Sequence, residues 1–140
     1  VGARGENITI IFINNCVYGM TGGQMAPTTL LGQVTTTSPY GRKKEIQGSP
    51  IRVCEMLSTL DGVAYAERVA VDCVKNVRAA KKAIKKAFTL QGEKKGLSIV
   101  EVLSTCPTNW GLSPEASLEW LRENSMKYYP LGVYKDVTAE

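Results

Sequence analysis

Eleven consecutive residues, Asn14-Asn15-Cys16-Val17-Tyr18-Gly19-Met20-Thr21-Gly22-Gly23-Gln24, carry the densest set of ligand-type groups in the chain. Asparagine and threonine oxygens beside a backbone carbonyl suit a hard cation such as magnesium, which commonly bridges to phosphate. Paired glycines let the backbone approach a ligand closely. The same residues also suit a structural glycine turn, and composition alone leaves both readings open. The spacing is neither GxGxxG nor a Walker loop. A second segment, Ser104-Thr105-Cys106-Pro107-Thr108, sets a thiol in a turn-like stretch. The chain has no histidine. That excludes a Ser-His-Asp triad, a Cys-His dyad, an HExxH zinc site and any histidine metal ligand within it. If the chain takes part in catalysis, a cofactor or another segment carries the proton chemistry.

The four cysteines, Cys16, Cys54, Cys73 and Cys106, form no CxxC pair, so a zinc knuckle and a thioredoxin motif are absent. Cys54 and Cys73 fall on predicted helices and read as reduced core thiols. Taken alone, Cys106 is a packed or turn thiol. Glu101, inside an apolar strand, reads as a paired or edge carboxylate, with a buried catalytic acid as the other possibility. No apolar run approaches the roughly 18 residues of a membrane span, so no membrane insertion is expected. The net charge of +4 is uneven: the segment Lys75 to Lys95 holds eight basic residues and Glu93. The rest holds nine basic residues against twelve acids. A basic segment is either a solvated helix face or a docking surface for an anionic partner.

These groups need elements to position them. The 140 residues, 44% hydrophobic, suffice for a packed core. Ile8 to Ile13 (ITIIFI) reads as a strand buried on both faces. The Gly-, Thr- and Pro-rich stretch from Cys16 to Ser49 reads as a long functional loop. Pro50 to Leu60 reads as a helix capped by Ser49, with Ile51, Cys54, Met56 and Leu57 on its apolar side. Val63 to Val71 reads as a strand. Asp72 to Thr89 reads as a helix capped by Asp72, with Val74, Val77, Ala80, Ile84, Ala87 and Phe88 facing the core. Its later lysines fall near the negative end of the helix dipole. Leu97 to Leu103 is a third strand, and Ser113-Pro114 opens a last helix reaching about Ser125. Strands alternating with helices predict an α/β fold with a parallel sheet flanked by helices. Ligands of such sheets sit at the carboxyl ends of strands. The loops after Asn15 and Ser104 leave such ends and are expected to meet at one site. Trp110 and Trp120 read as core or interface anchors.

Asn14-Asn15 after an apolar strand resembles the second half of the thiamine diphosphate motif. Val17-Tyr18-Gly19-Met20-Thr21-Gly22-Gly23-Gln24, Ala26-Pro27-Thr28-Thr29, Thr37-Ser38-Pro39-Tyr40-Gly41 and Val100-Glu101-Val102-Leu103-Ser104-Thr105-Cys106-Pro107-Thr108-Asn109-Trp110 together resemble the β subunit of 2-oxoacid:ferredoxin oxidoreductases. The resemblance runs over most of the chain. It implies a thiamine diphosphate-binding fold, of which residues 1–140 are expected to be the C-terminal portion of a single domain. It further implies magnesium held by the Asn15 side chain and the Val17 carbonyl. Tyr18, Gly19, Thr21, Gly22 and Gly23 are then placed at the cofactor, near the diphosphate or supporting its loop. Cys106 falls where members with a [4Fe–4S] cluster have their last cysteine ligand.

The departures are specific. The Gly-Asp-Gly that opens the thiamine diphosphate motif and the CxxC pair of the cluster are not in this sequence. The chain is therefore expected to bind neither cofactor tightly by itself. Met20 stands where pyruvate-type relatives often have a polar residue, which points toward 2-oxoisovalerate or 2-oxoglutarate. The resemblance implies oxidative decarboxylation of a 2-oxoacid to an acyl-CoA in a cytoplasmic hetero-oligomer. The implied partners are an α subunit, ferredoxin and coenzyme A, with no nucleic acid. The other reading is a non-catalytic α/β module whose basic helix docks an acidic partner.

Overall fold

The computed structural model describes residues 1–139. In chain order the elements are a 3-10 turn (Gly2–Arg4), β1 (Thr9–Asn14), β2 (Val17–Tyr18), β3 (Gln24–Met25), α1 (Lys44–Gln47), α2 (Val53–Ser58) and β4 (Val63–Ala70). There follow α3 (Val74–Gly92), β5 (Leu97–Leu103), α4 (Pro107–Trp110), α5 (Pro114–Trp120), a π-helical turn (Leu121–Ser125), α6 (Met126–Tyr128) and β6 (Gly132–Asp136). They fall into two compact units. The first holds Val1–Ile13, Val53–Val102 and the chain from Pro130 onward; the second holds Asn14–Arg52 and Leu103–Tyr129.

The first unit is built on a four-stranded sheet of order β1-β5-β4-β6. The Ser98 N–H donates to the Ile8 carbonyl at 2.9 Å and the Ser104 N–H to the Asn14 carbonyl at 3.1 Å. The constant offset makes β1 and β5 parallel. β6 runs antiparallel to β4, pairing Tyr65 with Asp136 and Arg68 with Gly132, with an irregularity between Ala66 and Glu67. The fold is α/β with a mostly parallel sheet flanked by helices, as expected. β5 is buried along its whole length. Val100 and Val102 pack with Tyr65, Val69 and the α3 residues Ala80, Ala83, Ala87 and Leu90. Leu97 and Ile99 face the other way, onto a cluster that includes Val53 and Leu57 of α2. Period-2 alternation in a central strand thus feeds two helical layers.

Several expectations change. β1 is an edge strand, and Ile8, Ile10 and Ile13 are exposed, so it is not buried on both faces. α2 begins at Val53 rather than Pro50, and the Ile51 N–H is donated to the Pro27 carbonyl. Ile51 and Met56 are exposed. α3 is capped by Cys73 without a side-chain bond, and Asp72 accepts instead from the Asn76 amide at 2.5 Å. The helix runs on to Gly92, so its lysines lie ahead of the last turn. Val74 and Phe88 face outward. Ser113 does cap α5, accepting from the Ala116 N–H at 3.2 Å. The long Cys16–Ser49 stretch contains β2, β3 and α1, and β6 lies in a stretch with no regular pattern.

Arg68 and Glu101, on adjacent strands, both have fully buried side chains, and Arg68 Nε donates to Glu101 Oε2 at 2.8 Å. The guanidinium also takes Glu55 at 2.5 and 3.1 Å, the Pro130 carbonyl at 3.1 Å and the Tyr134 hydroxyl at 2.5 Å. It lies 4.8 Å from the centre of the Tyr134 ring. Glu101 is therefore a paired structural carboxylate.

Cys54 is buried, as expected, and burial followed by the neighbouring Glu101 carboxylate pushes its thiol well up. Cys73 is exposed, contrary to the core reading, because it sits at the helix cap rather than on the packed face. Alkylation follows thiolate access, so under native conditions at pH 8 iodoacetamide is expected to label Cys73 at least about tenfold faster than Cys54. Peptide mapping by mass spectrometry checks this, and equal rates would contradict the burial of Cys54.

Candidate functional site

The second unit contains the candidate cofactor and metal residues, Asn15 to Gly23 and Cys106. Its organising feature is a turn after Asn14. The Asn14 side-chain oxygen accepts from the Cys16 N–H at 3.1 Å, and the Asn15 side-chain oxygen accepts from the Val17 N–H at 3.4 Å. Asparagine bonding two residues ahead is a local turn device. Between them Cys16 takes the left-handed conformation, φ 60°, unusual for a residue with a side chain. Such a backbone costs about 1–3 kcal/mol and persists where surroundings over-determine it. Here they do. The Cys16 carbonyl accepts from Thr29 Oγ1 at 2.6 Å, and its sulfur lies 3.6 Å from Ser125 Oγ. The preceding carbonyl, of Asn15, accepts from the Trp110 indole N–H at 3.1 Å. The turn leaves Asn15 half-buried and Val17 buried.

β2 and β3 form a hairpin pairing Val17 with Met25 and Tyr18 with Gln24. The Met25 N–H is donated to Thr37 Oγ1 at 3.0 Å. At the tip, Thr21 Oγ1 donates to Gln24 Oε1 and Gln24 Nε2 donates to the Thr21 carbonyl, both at 2.7 Å. Tyr18, Met20, Thr21 and Gly22 are exposed, and Gly23 is buried. The Thr21 hydroxyl is thus engaged in shaping the loop.

The two loops meet, as expected. Asn109 Nδ2 of α4 donates to the Gly19 carbonyl at 3.0 Å and to Cys106 Sγ at 3.1 Å. A Cβ at Gly19 would lie 3.0 Å from Cys106 Sγ. Gly23 has φ +78°, and a Cβ there would lie 2.7 Å from Asn109 Oδ1. The loop therefore needs glycine at Gly23 for both backbone conformation and close approach. Trp110 and Trp120 have ring centres 4.4 Å apart, tilted by 49°. They line a groove of about 230 Å³ with Gly32, Gln33, Val34 and Leu112.

Two positioning residues went unread in the sequence. Asn109 carries the contact between the loops. Its signals were its place in the resembling stretch and three residues after Cys106, where a helical turn brings side chains together. Arg42 is buried, and its guanidinium donates only to backbone carbonyls: Ala26, Pro27, Thr29, Gln47, Gly48 and Ser49, at 2.8–3.3 Å. It stands in Arg42-Lys43-Lys44, where residue type does not set it apart from its neighbours. Thr29 links this hub to the Cys16 turn.

Two groups at this turn are of a type that could hold magnesium. The Asn15 amide oxygen and the Val17 carbonyl are neutral hard donors of the kind magnesium accepts alongside phosphate oxygens. Among the described residues no group of three or more His, Cys, Asp or Glu side chains can hold a metal ion. Cys106 therefore gathers no four-thiolate set from these residues, and a [4Fe–4S] cluster does not fit them by themselves. No helix of the described residues is long and apolar enough to cross a membrane.

The chain is similar to known proteins. Residues 1–102 match the family described as thiamine pyrophosphate enzyme, C-terminal TPP binding domain. The chain is 46% identical over 98% of its length to ketoisovalerate oxidoreductase subunit VorA of Methanothermobacter thermautotrophicus, of which it covers 29%. It is 34% identical over 98% of its length to 2-oxoglutarate synthase subunit KorB of Methanocaldococcus jannaschii, of which it covers 47%. The chain thus spans less than half the length of these relatives. Its fold is similar to a 2-oxoglutarate:ferredoxin oxidoreductase from Magnetococcus marinus solved with 2-oxoglutarate, coenzyme A and succinyl-CoA. The TM-score is 0.66 at 20% identity, over 99% of this chain and 50% of that one. With the match extending over residues 1–102, from before β1 through the Asn15–Gly23 motif and most of β5, the chain belongs to the thiamine pyrophosphate enzyme C-terminal TPP-binding domain family.

Proposed function

We propose that this chain serves a thiamine diphosphate-dependent 2-oxoacid:ferredoxin oxidoreductase. Its part is to hold the magnesium–diphosphate end of the cofactor. The observation that carries the reading is the strained turn at Cys16, pinned by Asn14, Thr29 and Ser125, which fixes Asn15 and Val17 beside the glycine loop. Asn15 Oδ1 and the Val17 carbonyl are the magnesium ligands. The N–H opposite Val17 in the hairpin is committed to Thr37. Tyr18, Gly19, Thr21, Gly22 and Gly23 shape the loop against the diphosphate. Thiamine diphosphate, when bound, supplies the carbanion chemistry of 2-oxoacid decarboxylation. The chain's own groups orient it: the Trp110 N–H holds the Asn15 carbonyl, and Asn109 holds Gly19.

A further protein ligand to the magnesium would be an aspartate from a Gly-Asp-Gly, which this sequence does not contain. Cys106 becomes one thiolate ligand of a [4Fe–4S] cluster whose other ligands lie outside it as well. The assembled enzyme is a cytoplasmic hetero-oligomer that forms an acyl-CoA and passes electrons to ferredoxin. 2-Oxoisovalerate is favoured over 2-oxoglutarate by the higher identity to the ketoisovalerate relative.

Asn15→Ala tests the reading in the assembled enzyme. Losing one of the chain's two magnesium donors is expected to weaken magnesium-dependent thiamine diphosphate binding at least about tenfold. Isothermal titration with and without magnesium measures it. Unchanged magnesium-dependent affinity would remove Asn15, and the reading with it.

A further inference from the structure

α3 contains six cations, Lys75, Arg78, Lys81, Lys82, Lys85 and Lys86, and no acid. Lys86 is ion-paired with Asp136 of β6. Among the described residues the other five are exposed and in no ion pair. At the helical repeat, Arg78, Lys81, Lys82 and Lys85 fall within a sector of about 100°. Ala80, Ala83, Ala87 and Leu90 occupy the opposite, buried side. Arg78 and Lys82, like Lys81 and Lys85, are like charges four residues apart, which repel on a helix surface. A solvated face usually mixes signs; this one does not. Val74 lies in this sector and Phe88 about 20° beyond its edge; they are 68% and 54% exposed and about 21 Å apart along the helix.

We propose that the exposed face of α3 is a docking surface for the acidic face of a folded protein partner, steered by its cations and seated on Val74 and Phe88. The proposal rests on the reading above, in which the enzyme passes electrons to a protein. Charge complementarity selects the partner. Four of the five uncompensated cations are lysines, point charges suited to steering encounter, rather than the arginine forks of bidentate phosphate contact. Outside the segment Lys75 to Lys95, acids outnumber basic residues by twelve to nine. Two exposed apolar side chains add contacts that a protein surface can bury.

The test uses the assembled holoenzyme with an acidic ferredoxin as protein probe and methyl viologen as a small acceptor that needs no docking face. The Lys81→Glu, Lys82→Glu, Lys85→Glu triple variant is expected to raise the KM for ferredoxin about tenfold or more and to flatten its salt dependence. Its turnover on viologen is expected to stay at the wild-type level. The triple Lys→Arg variant keeps the wild-type KM, because the charge is kept. An unchanged ferredoxin KM in the Glu variant, with viologen turnover intact, overturns the docking surface and leaves the functional reading in place. Loss of filter-retained tRNA in the Glu variant with the ferredoxin KM unchanged overturns it in favour of nucleic acid. No viologen turnover in the wild-type holoenzyme removes the functional reading and the docking proposal together.

Discussion

Arg68→Met is expected to lower the unfolding free energy by about 3–5 kcal/mol, the range for removing one partner of a buried ion pair. The loss is large beside the roughly 5–15 kcal/mol of a typical domain. Arg68 is fully buried and answers two carboxylates, Glu101 and Glu55, which differ in exposure. Glu55 is 30% exposed and can turn to water. Glu101 is at 0% and cannot. Its charge would stay in the central strand without the guanidinium, beside the already desolvated Cys54. The effect therefore depends on Glu101, and pairing Arg68→Met with Glu101→Leu is expected to recover most of the loss. Urea unfolding of the two single variants and the double measures the coupling. Additive losses would show that the two residues act independently.

Arg42→Met is expected to cost about 3–5 kcal/mol by a different route, since bonds to a charged donor are worth more than neutral ones and buried carbonyls are costly to orphan. The guanidinium ties Ala26, Pro27 and Thr29 to Gln47, Gly48 and Ser49. Methionine fills a similar volume but donates nothing. Arg42→Lys is expected to rescue little, because three donors on one nitrogen cannot span acceptors that a planar fork reaches. Hydrogen exchange reads the result. The N–H groups of Thr29, Gly32 and Ile51, bonded to Ala26, Arg42 and Pro27, lose protection before those of β5. Equal loss in both places would mean that Arg42 stabilises the chain generally rather than this loop.

The parts of the fold legible in the sequence were those where local pattern and final burial agree. Leu97–Leu103 is apolar, β-branched and central, and its boundaries match the reading. β1 is equally apolar, yet it lies at an edge, because strand order is set by pairings the run itself does not encode. β6, Gly132-Val133-Tyr134-Lys135-Asp136, has no clean alternation, and its place comes from pairing with β4 and from Arg68 donating to Tyr134. α3 was legible in extent and misread at its ends, where Val74 and Phe88 extend a helical stripe that the sheet does not cover. In the candidate site the ligand-type residues were visible because their chemistry is written in residue type. The groups that hold them, Arg42, Asn109, Thr29 and the indole of Trp110, act through backbone carbonyls or other side chains, and such partners leave no mark on composition.

The contact between the glycine loop and α4 has a consequence for how this protein can change. Gly19 and Gly23 are filled from the other side by Cys106 and Asn109. A larger residue at Gly23 meets Asn109 at 2.7 Å and is strained by its backbone besides. Shortening Asn109 instead removes the donor that holds Gly19. Neither segment can be redesigned alone: the steric room and the hydrogen bond are two halves of one lock, and any drift in either stretch must be matched, in the same step, by its counterpart nearly ninety positions away.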